Sequence, residues 1–413
     1  MINKRKGACL FGQSGGPTSV INASALGVLE TALAEECITE VYGCAHGIKG
    51  ILDDCLYDIS KEDPQELKLL RYTPSSALGS CRYKLKDSRE DDTDYKRILE
   101  IFQKYDIRYF FYNGGNDSMD TCNKVSKYLM SQNYDCRIIG VPKTIDNDLF
   151  GTDHCPGFGS AAKYIATSCM EIYQDANVYD TGTVVIVEIM GRNAGWLTAA
   201  SALASHMGGG PDLIYLPERP FDLEQAMQQI ESVYKSRNNC LVALSEGILD
   251  SEGKFIAEYG QDVATDAFGH KQMGGAGAFV AAEVKRRFGY KVRSIELSLL
   301  QRCAAHCASK TDIDEAYLAG KTAVELAVAG ETDKMVAFER LPGGAYAIQC
   351  KPIDLHQVAN AEKKVPDAWI TPEGTGLNQA FIDYALPLIQ GETDLPYQNG
   401  LPRFARLKKV RAQ

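Results

Sequence analysis

The 413-residue sequence lacks an apolar run long enough to span a membrane, and no signal-type apolar segment follows its basic first six residues. It also lacks an excess of positive charge, since its net charge is −10. Nucleic acids and anionic membranes repel a protein of this charge, so neither is an expected partner. Together these absences predict a cytoplasmic protein.

Paired cysteine motifs are absent as well. None of the 13 cysteines forms a Cys-x-x-Cys pair, and an odd number scattered along a long chain does not fit a disulfide framework. Reduced thiols in a cytosolic protein are the simpler interpretation. Cys303, His306 and Cys307 provide too few ligands for zinc, so we interpret them as packing residues.

What the sequence does have is the composition of a soluble globular protein, with 45% apolar and 24% charged residues. Strand-length apolar runs alternate with helical patterns, which predicts mainly parallel sheets covered on both faces by helices. The runs are 8–11, 108–112, 136–141, 183–189, 212–216, 240–244 and 292–297. The proline-containing region after residue 351 is interpreted as a helical extension with a C-terminal arm.

The stretch 140–148 follows one of these runs and places a cation, a hydroxyl and two carboxylates close together: Lys143, Thr144, Asp146 and Asp148. A carboxylate beside a lysine is expected to stay ionised, and it can then take a proton from a substrate hydroxyl. The lysine can hold a phosphate. The alternative is a solvated turn in which the aspartates make local hydrogen bonds.

Two glycine loops also follow predicted strands. Gly15 and Gly16 allow backbone N–H groups to approach a phosphate, although glycines serve any tight turn. Gly115 precedes Asn116 and Asp117, whose oxygens are of the kind that magnesium prefers. The alternative for this second loop is an ordinary helix N-cap.

Further charged residues stand at or near predicted strand ends: Arg192, Glu246, Arg293 and Arg302. Each arginine alone is better explained as a surface ion-pair partner. Several loops with phosphate-type chemistry at strand ends together favour a phosphate-handling site, because ligands bind beyond the carboxyl ends of strands in open α/β sheets.

The loop motifs and their order along the chain resemble those of the phosphofructokinase family, and the resemblance runs from about residue 7 to about residue 302. The motifs are the paired Gly-Gly loops, Thr144-Ile145-Asp146-Asn147-Asp148, Met190-Gly191-Arg192, Ser245-Glu246-Gly247 and Gln301-Arg302. The resemblance implies two doubly wound, mainly parallel-sheet (Rossmann-like) α/β domains with the active site in the cleft between them. It also implies transfer of a phosphoryl group to the 1-hydroxyl of fructose 6-phosphate, Mg²⁺ as cofactor, and a homo-oligomer, either dimer or tetramer.

The resemblance implies a donor-binding domain made of residues 1–156 and about 300–350, and a sugar-phosphate-binding domain made of residues 157–299. The C-terminal extension, residues 351–413, has no assigned role. The implied catalytic residues are Asp146 as general base, with Lys143, Asp117, Thr144 and Arg192. The implied sugar-phosphate residues are Thr144, Asp146, Met190, Gly191, Arg192, Glu246, Arg293 and Arg302. The implied donor residues are Gly15, Gly16, Arg82, Asp117 and Lys143, and the implied metal ligands are Asn116, Asp117 and Asp148. In this family one arginine reaches in from a neighbouring subunit, and Arg293 matches that position.

Two positions in the sequence indicate which compound donates the phosphoryl group. ATP-using members have glycine where this chain has Asp117 and Lys143. The charge of Asp117 would repel the α-phosphate of a nucleotide, whereas Lys143 adds a cation suited to pyrophosphate. The chain thus resembles the pyrophosphate-dependent branch, whose reaction is reversible. The alternatives are an ATP-dependent enzyme and a non-catalytic phosphosugar- or nucleotide-sensing module. The glycine spacing lacks the dinucleotide fingerprint of a dehydrogenase.

Four departures from the family pattern limit what the resemblance implies. Asn116 replaces a magnesium-binding aspartate, and Leu299 replaces a sugar-phosphate histidine of the bacterial ATP enzymes. Thr183 replaces a second arginine of the neighbouring subunit. Leu26 and Glu30 replace effector-binding arginines, so we expect no regulation by nucleotide diphosphates or phosphoenolpyruvate.

Overall fold

The computed structural model describes residues 5–260, 275–359 and 361–413. The strands are β1 (Gly7–Gln13), β2 (Ile38–Cys44), β3 (Leu56–Asp58), β4 (Ile107–Gly114), β5 (Arg137–Pro142), β6 (Thr183–Ile189), β7 (Leu213–Tyr215), β8 (Asn239–Ser245), β9 (Val292–Glu296), β10 (Lys334–Arg340), β11 (Ile348–Asp354), β12 (Tyr397–Gln398) and β13 (Leu401–Pro402). The helices are α1 (Ile21–Ala34), α2 (Ile48–Leu52), α3 (Pro64–Leu69), α4 (Thr93–Lys104), α5 (Asn116–Ser131), α6 (Phe158–Ala176), α7 (Trp196–Ala200), α8 (Ala202–His206), α9 (Leu223–Arg237), α10 (Ala276–Phe288), α11 (Leu300–Cys303), α12 (Lys310–Val328), α13 (Leu355–Val358) and α14 (Gln379–Ala385).

The first sheet has seven strands in the order β11-β10-β5-β4-β1-β2-β3. Its centre is parallel, and antiparallel pairs lie at both edges, β2 with β3 and β10 with β11. Alternate residues of β1 enter different cores: Ala8 and Leu10 pack with α4 and α5, whereas Cys9 and Phe11 pack with α1 and α12. Because β1 is buried on both faces, its sequence is apolar at nearly every position.

The second sheet is parallel, with the strand order β7-β8-β6-β9. Val184 and Ile186 of β6 pack against α9 and α10, and Val185 and Val187 pack against α6 and α7. All seven predicted strand segments are therefore strands, and the prediction of a two-sheet, mainly parallel α/β fold is confirmed.

Helix α12 follows the second sheet in the chain but packs on the first. A Cβ atom added to Gly27 would lie 2.1 Å from the Tyr317 carbonyl oxygen, so α1 and α12 touch backbone to backbone. In this interface Leu26 is buried, and Glu30 accepts a hydrogen bond of 2.9 Å from the Tyr317 hydroxyl. Leu26 and Glu30 thus serve the packing of α12 on α1.

After β11 the chain contacts both sheets. Ile370 and Phe381 join the core of the second sheet. The terminal arm then returns to the first sheet, where the Asp58 amide donates to the Val410 carbonyl at 2.9 Å. The helical parts of this extension, α13 and α14, are short and separated by irregular chain. No described helix is both long and apolar enough to cross a membrane.

Candidate active site

The loop after β5 is held rigidly. The Lys143 amide donates to the Gly114 carbonyl at 3.0 Å, and the Asp146 amide donates to Thr144 Oγ1 at 3.0 Å. Asn147 has a φ of 54° and is fully buried, with its side chain bound to the Cys155 amide at 2.9 Å. Lys143 and Thr144 are also buried. The alternative of a solvated turn is therefore wrong, because Lys143, Thr144 and Asn147 are buried and Asp146 and Asp148 are half-buried.

Lys143 points at the first glycine loop. Its Nζ donates to the Gly16 carbonyl at 2.6 Å, and a Cβ added to Gly15 would lie 3.4 Å from the same Nζ. Burial lowers the pKa of Lys143 to about 8, although Asp146 and Asp148 act in the opposite direction. An anion placed beside a lysine that is desolvated to this degree raises the pKa of the lysine and favours its charged form.

The carboxyl groups of the loop are protonated more readily than ordinary ones. Burial raises the pKa of Asp146, and the charges of Lys143, Arg192 and Arg302 oppose that rise without cancelling it. Burial, followed by the charge of Asp146, raises the pKa of Asp148 to about 7. The neighbouring cations act on Asp146 as the sequence predicted, but desolvation outweighs them.

Arg302 and Arg82 add positive charge near the first glycine loop. A Cβ added to Gly16 would lie 3.2 Å from an Arg302 guanidinium nitrogen. The loop that carries exposed Arg82 is tied to the first glycine loop, because Ser80 Oγ donates to the Gly15 carbonyl at 2.6 Å. The charges of both arginines contribute to the lowered pKa of Lys143. The three cations therefore surround one glycine turn.

Two oxygen atoms at this site are buried and unbonded. Asn116 Nδ2 donates to Asp148 Oδ2 at 3.0 Å. The remaining oxygens, Asn116 Oδ1 and Asp148 Oδ1, have no hydrogen-bond partner among the described residues. Leaving such atoms unsatisfied is costly, and a hard cation prefers oxygen ligands of this type. The pair therefore fits Mg²⁺. No cluster of three or more His, Cys, Asp or Glu side chains suited to a metal occurs in the described ranges, so an ion here would have at most two such ligands, together with Asn116 and water or phosphate oxygens.

The second sheet supplies the opposite side of the site. Gly191 has a φ of 141°, a conformation that favours glycine, and its amide donates to Glu246 Oε1 at 3.3 Å. The Met190 amide donates to Gln301 Oε1 at 3.3 Å. Burial is the largest cause raising the pKa of Glu246 to about 7, and the charge of Asp146 adds to it. Residues after β6 and β8 thus lie close to the loop after β5.

Two of the residues implied by the resemblance have exposed side chains. Asp117 is exposed in the first turn of α5. Arg293 is exposed in the edge strand β9, where it pairs in register with Val185 rather than with the end of β6. The positions of two departures are also clear: Leu299 is 54% exposed, whereas Thr183 is buried and its hydroxyl donates to the Lys291 carbonyl at 3.3 Å.

The sequence analysis missed the contribution of the C-terminal segment. Glu362 lies near enough to Asp146 and Asp148 for its charge to raise the pKa of both. The Tyr384 hydroxyl accepts a hydrogen bond of 2.8 Å from Asn147 Nδ2. No local motif marks these residues, which are more than two hundred positions away from the loop that they contact.

An arrangement of this kind, in which the strand ends of two α/β sheets bring carboxylates against buried cations, suits a phosphotransferase. The chain belongs to the phosphofructokinase family, whose profile matches residues 9–326.

Relatives over nearly the whole length carry a more particular name. A pyrophosphate–fructose 6-phosphate 1-phosphotransferase of Halomonas elongata is 46% identical over 407 residues, covering 98% of this chain and 96% of the relative. The protein of the same name from Xanthomonas campestris is 46% identical over 411 residues, covering 98% and 97%. The crystal structure of a pyrophosphate-dependent phosphofructokinase from Nitrosospira multiformis superposes with a TM-score of 0.90 at 42% identity, covering 98% of each chain.

Proposed function

We propose that this protein transfers a phosphoryl group from Mg-pyrophosphate to the 1-hydroxyl of fructose 6-phosphate, giving fructose 1,6-bisphosphate and phosphate in a reversible step of glycolysis and gluconeogenesis. The observation that carries the proposal is the buried Lys143 amine, which lies on the Gly15-Gly16 turn next to Asp146. The names of the relatives in Halomonas and Xanthomonas support the same reaction.

Asp146 is the general base in this proposal. Its raised pKa makes the carboxylate a stronger base than an ordinary aspartate, which suits removal of a proton from a sugar hydroxyl. Arg192 and Arg302 are close enough to lower that pKa, so they also lie close enough to a sugar phosphate whose hydroxyl meets Asp146. Thr144 orients the loop through its bond to the Asp146 amide.

The remaining roles divide between the two sides of the cleft. We assign the donor to Gly15, Gly16, Arg82 and Lys143, with Asp117 at the rim. We assign the sugar phosphate to Met190, Gly191, Arg192, Glu246 and Arg302. On this assignment, the donor domain consists of residues 1–156 and about 300–350, and the sugar-phosphate domain consists of residues 157–299. The packing of α12 and β10 on the first sheet supports the discontinuous first domain.

Magnesium would be held by Asp148 and Asn116, whose two unbonded oxygens face no protein donor among the described residues. Asp117, in the first turn of the same helix, would complete the set. When bound, the ion supplies positive charge that offsets the charge of the phosphoryl group. We further propose a cytoplasmic homo-oligomer, dimer or tetramer, in which the exposed Arg293 serves a neighbouring site.

A donor-exchange assay tests the proposal. With fructose 6-phosphate present, we expect turnover with Mg-pyrophosphate and little with Mg-ATP. The double substitution Asp117→Gly/Lys143→Gly should abolish most pyrophosphate use, because it removes the cation at the glycine turn and the rim carboxylate. Turnover with ATP alone would favour the ATP-dependent alternative, and no turnover with either donor would favour a sensing module. Undiminished pyrophosphate use by the double variant would contradict the donor argument.

A further inference from the structure

Residues 362–365, here called the strap, run alongside the loop after β5. Glu362 forms an antiparallel bridge with Leu149, and the Lys363 amide donates to the Asp148 carbonyl at 2.8 Å. The Lys363 side chain donates to the carbonyl of Asp153 at 2.7 Å. The strap is therefore attached to the loop after β5, here called the catalytic loop, by one isolated β-bridge and one backbone hydrogen bond.

The opposite side of the strap binds the loop after β6. Asn193 Nδ2 donates to Glu362 Oε1 at 2.9 Å, directly after Arg192 in the chain. Trp196 Nε1 donates to the Lys363 carbonyl at 2.8 Å.

Glu218 ties the end of the strap to the same loop. Its Oε1 accepts from the Gly195 amide at 2.8 Å and from the Val365 amide at 3.1 Å. Glu362 and Lys363 thus bond both loops directly, and Val365 is connected to the loop after β6 through Glu218. Both loops belong to the candidate active site but to different sheets.

We propose that the strap sets the separation of the catalytic loop and the sugar-phosphate loop, and that Glu362 is a positioning residue for the reaction. This inference rests on the proposed function for its kinetic part. Glu362 holds Asn193 through its carboxylate while its backbone is fixed to Leu149. Arg192 is therefore kept facing Asp146 by its neighbour in the chain.

The physical need for such a device is general. Phosphoryl transfer depends on positioning and electrostatics, and a displacement of about 1 Å can cost about 100-fold in rate. The two loops reside on separate sheets, so their separation depends on contacts between them, which are the packing of Ile145 in the second core and the bonds of the strap. The hydrogen bond between Asn193 and Glu362 joins two exposed residues, so it contributes little to global stability. A variant lacking it should therefore fold normally and fail in positioning.

The test uses the full-length protein with Glu362→Ala, Glu362→Gln, Asn193→Ala and the double alanine variant. Glu373→Ala is the matched control, since this exposed glutamate lies in the same C-terminal segment. We expect Glu362→Ala to raise the KM for fructose 6-phosphate about tenfold while the KM for pyrophosphate changes less than about twofold. Glu362→Gln keeps an oxygen acceptor for Asn193 and should restore most of the affinity. The double variant should be no worse than either single one, because both remove the same bond.

A second measurement separates this inference from the proposed function. Amide hydrogen exchange of residues 190–196 should increase in Glu362→Ala and stay unchanged in Glu373→Ala, whatever reaction the protein catalyses. An unchanged exchange pattern would overturn the positioning role even if pyrophosphate turnover is confirmed. Equal increases in both KM values, or a KM for fructose 6-phosphate within twofold of the parent, would also overturn it. Absence of turnover in the parent protein would contradict only the proposed function.

Discussion

Replacing Lys143 with methionine should make the protein more stable at neutral pH and nearly inactive with pyrophosphate. The reason is that the folded chain buries this amine and lowers its pKa from 10.5 to about 8. Below the folded pKa, the protein therefore carries the cost of a desolvated cation. A lysine with a lowered pKa destabilises the fold at low pH, and the penalty disappears as the pH rises towards the unfolded value of 10.5.

Lowering the pKa of Lys143 from 10.5 to about 8 corresponds to a cost of about 3 kcal/mol at pH 7 and less than about 1 kcal/mol at pH 10. Methionine also loses the hydrogen bond to the Gly16 carbonyl, worth about 1 kcal/mol. We therefore expect Lys143→Met to raise the free energy of unfolding by about 2 kcal/mol at pH 7 and to leave it nearly unchanged at pH 10.

Urea unfolding of the ligand-free protein at the two pH values measures this difference, and kcat/KM for pyrophosphate measures the functional loss. Mg-pyrophosphate should stabilise the parent protein and not the variant, because ligands stabilise only the state that binds them. A variant that is less stable than the parent at pH 7, or whose stability difference is the same at both pH values, would refute the reasoning.

The other predictions concern the proposed base, the sugar-phosphate side and the subunit contact. Asp146→Asn should lower turnover by about 10²- to 10⁴-fold without a change in far-UV circular dichroism, and an unchanged rate would remove Asp146 from the mechanism. Glu246, with its pKa of about 7, gains charge as the pH rises through neutrality and then accepts hydrogen bonds from sugar hydroxyls more strongly. The KM for fructose 6-phosphate should therefore fall several-fold between pH 6 and 8 in the parent and change less in Glu246→Gln. Arg293→Ala should raise the KM for fructose 6-phosphate with little change in Tm. Mixing this variant with Asp146→Asn under conditions in which subunits exchange should restore activity, and no restoration there would place Arg293 outside any neighbouring site.

The sequence predicted the parts of the fold that local patterns encode. The seven segments with near-continuous apolar residues are all strands, since a strand covered on both faces must be apolar throughout. The strands that were missed are mostly at or near the edges of the first sheet. In β2, Thr39 and Glu40 are exposed and interrupt the apolar run, and β11 is half-buried along most of its length. Such strands are held by pairing with a neighbour, which the sequence of one segment does not reveal.

In the candidate active site, too, local motifs reveal some residues, whereas others are brought in only by the folded chain. The loops after β1, β4, β5 and β6 carry their chemistry in short motifs, so their residues could be named in advance. Glu362 could not, because its relation to Asp146 exists only after the C-terminal segment crosses the second sheet. The direction of the Asp146 pKa shift was also out of reach, since neighbouring charges can be seen in a sequence whereas the desolvation that outweighs them is a property of the packed structure.

A shifted pKa alone does not identify this site, and the comparison with Asp312 shows why. Burial raises the pKa of Asp312 to about 6, close to the value of about 7 for Asp148. Asp312, however, accepts hydrogen bonds from the Gly157 and Ser160 amides at 2.9 and 2.8 Å, so its two oxygens are satisfied at the start of α6. Asp148 Oδ1 has no partner among the described residues. The unbonded Asp148 oxygen, together with that of Asn116, leaves a position for a ligand that the fully bonded Asp312 lacks. That difference in hydrogen bonding, more than the similar pKa values, supports our proposal that the chemistry takes place at the loop after β5.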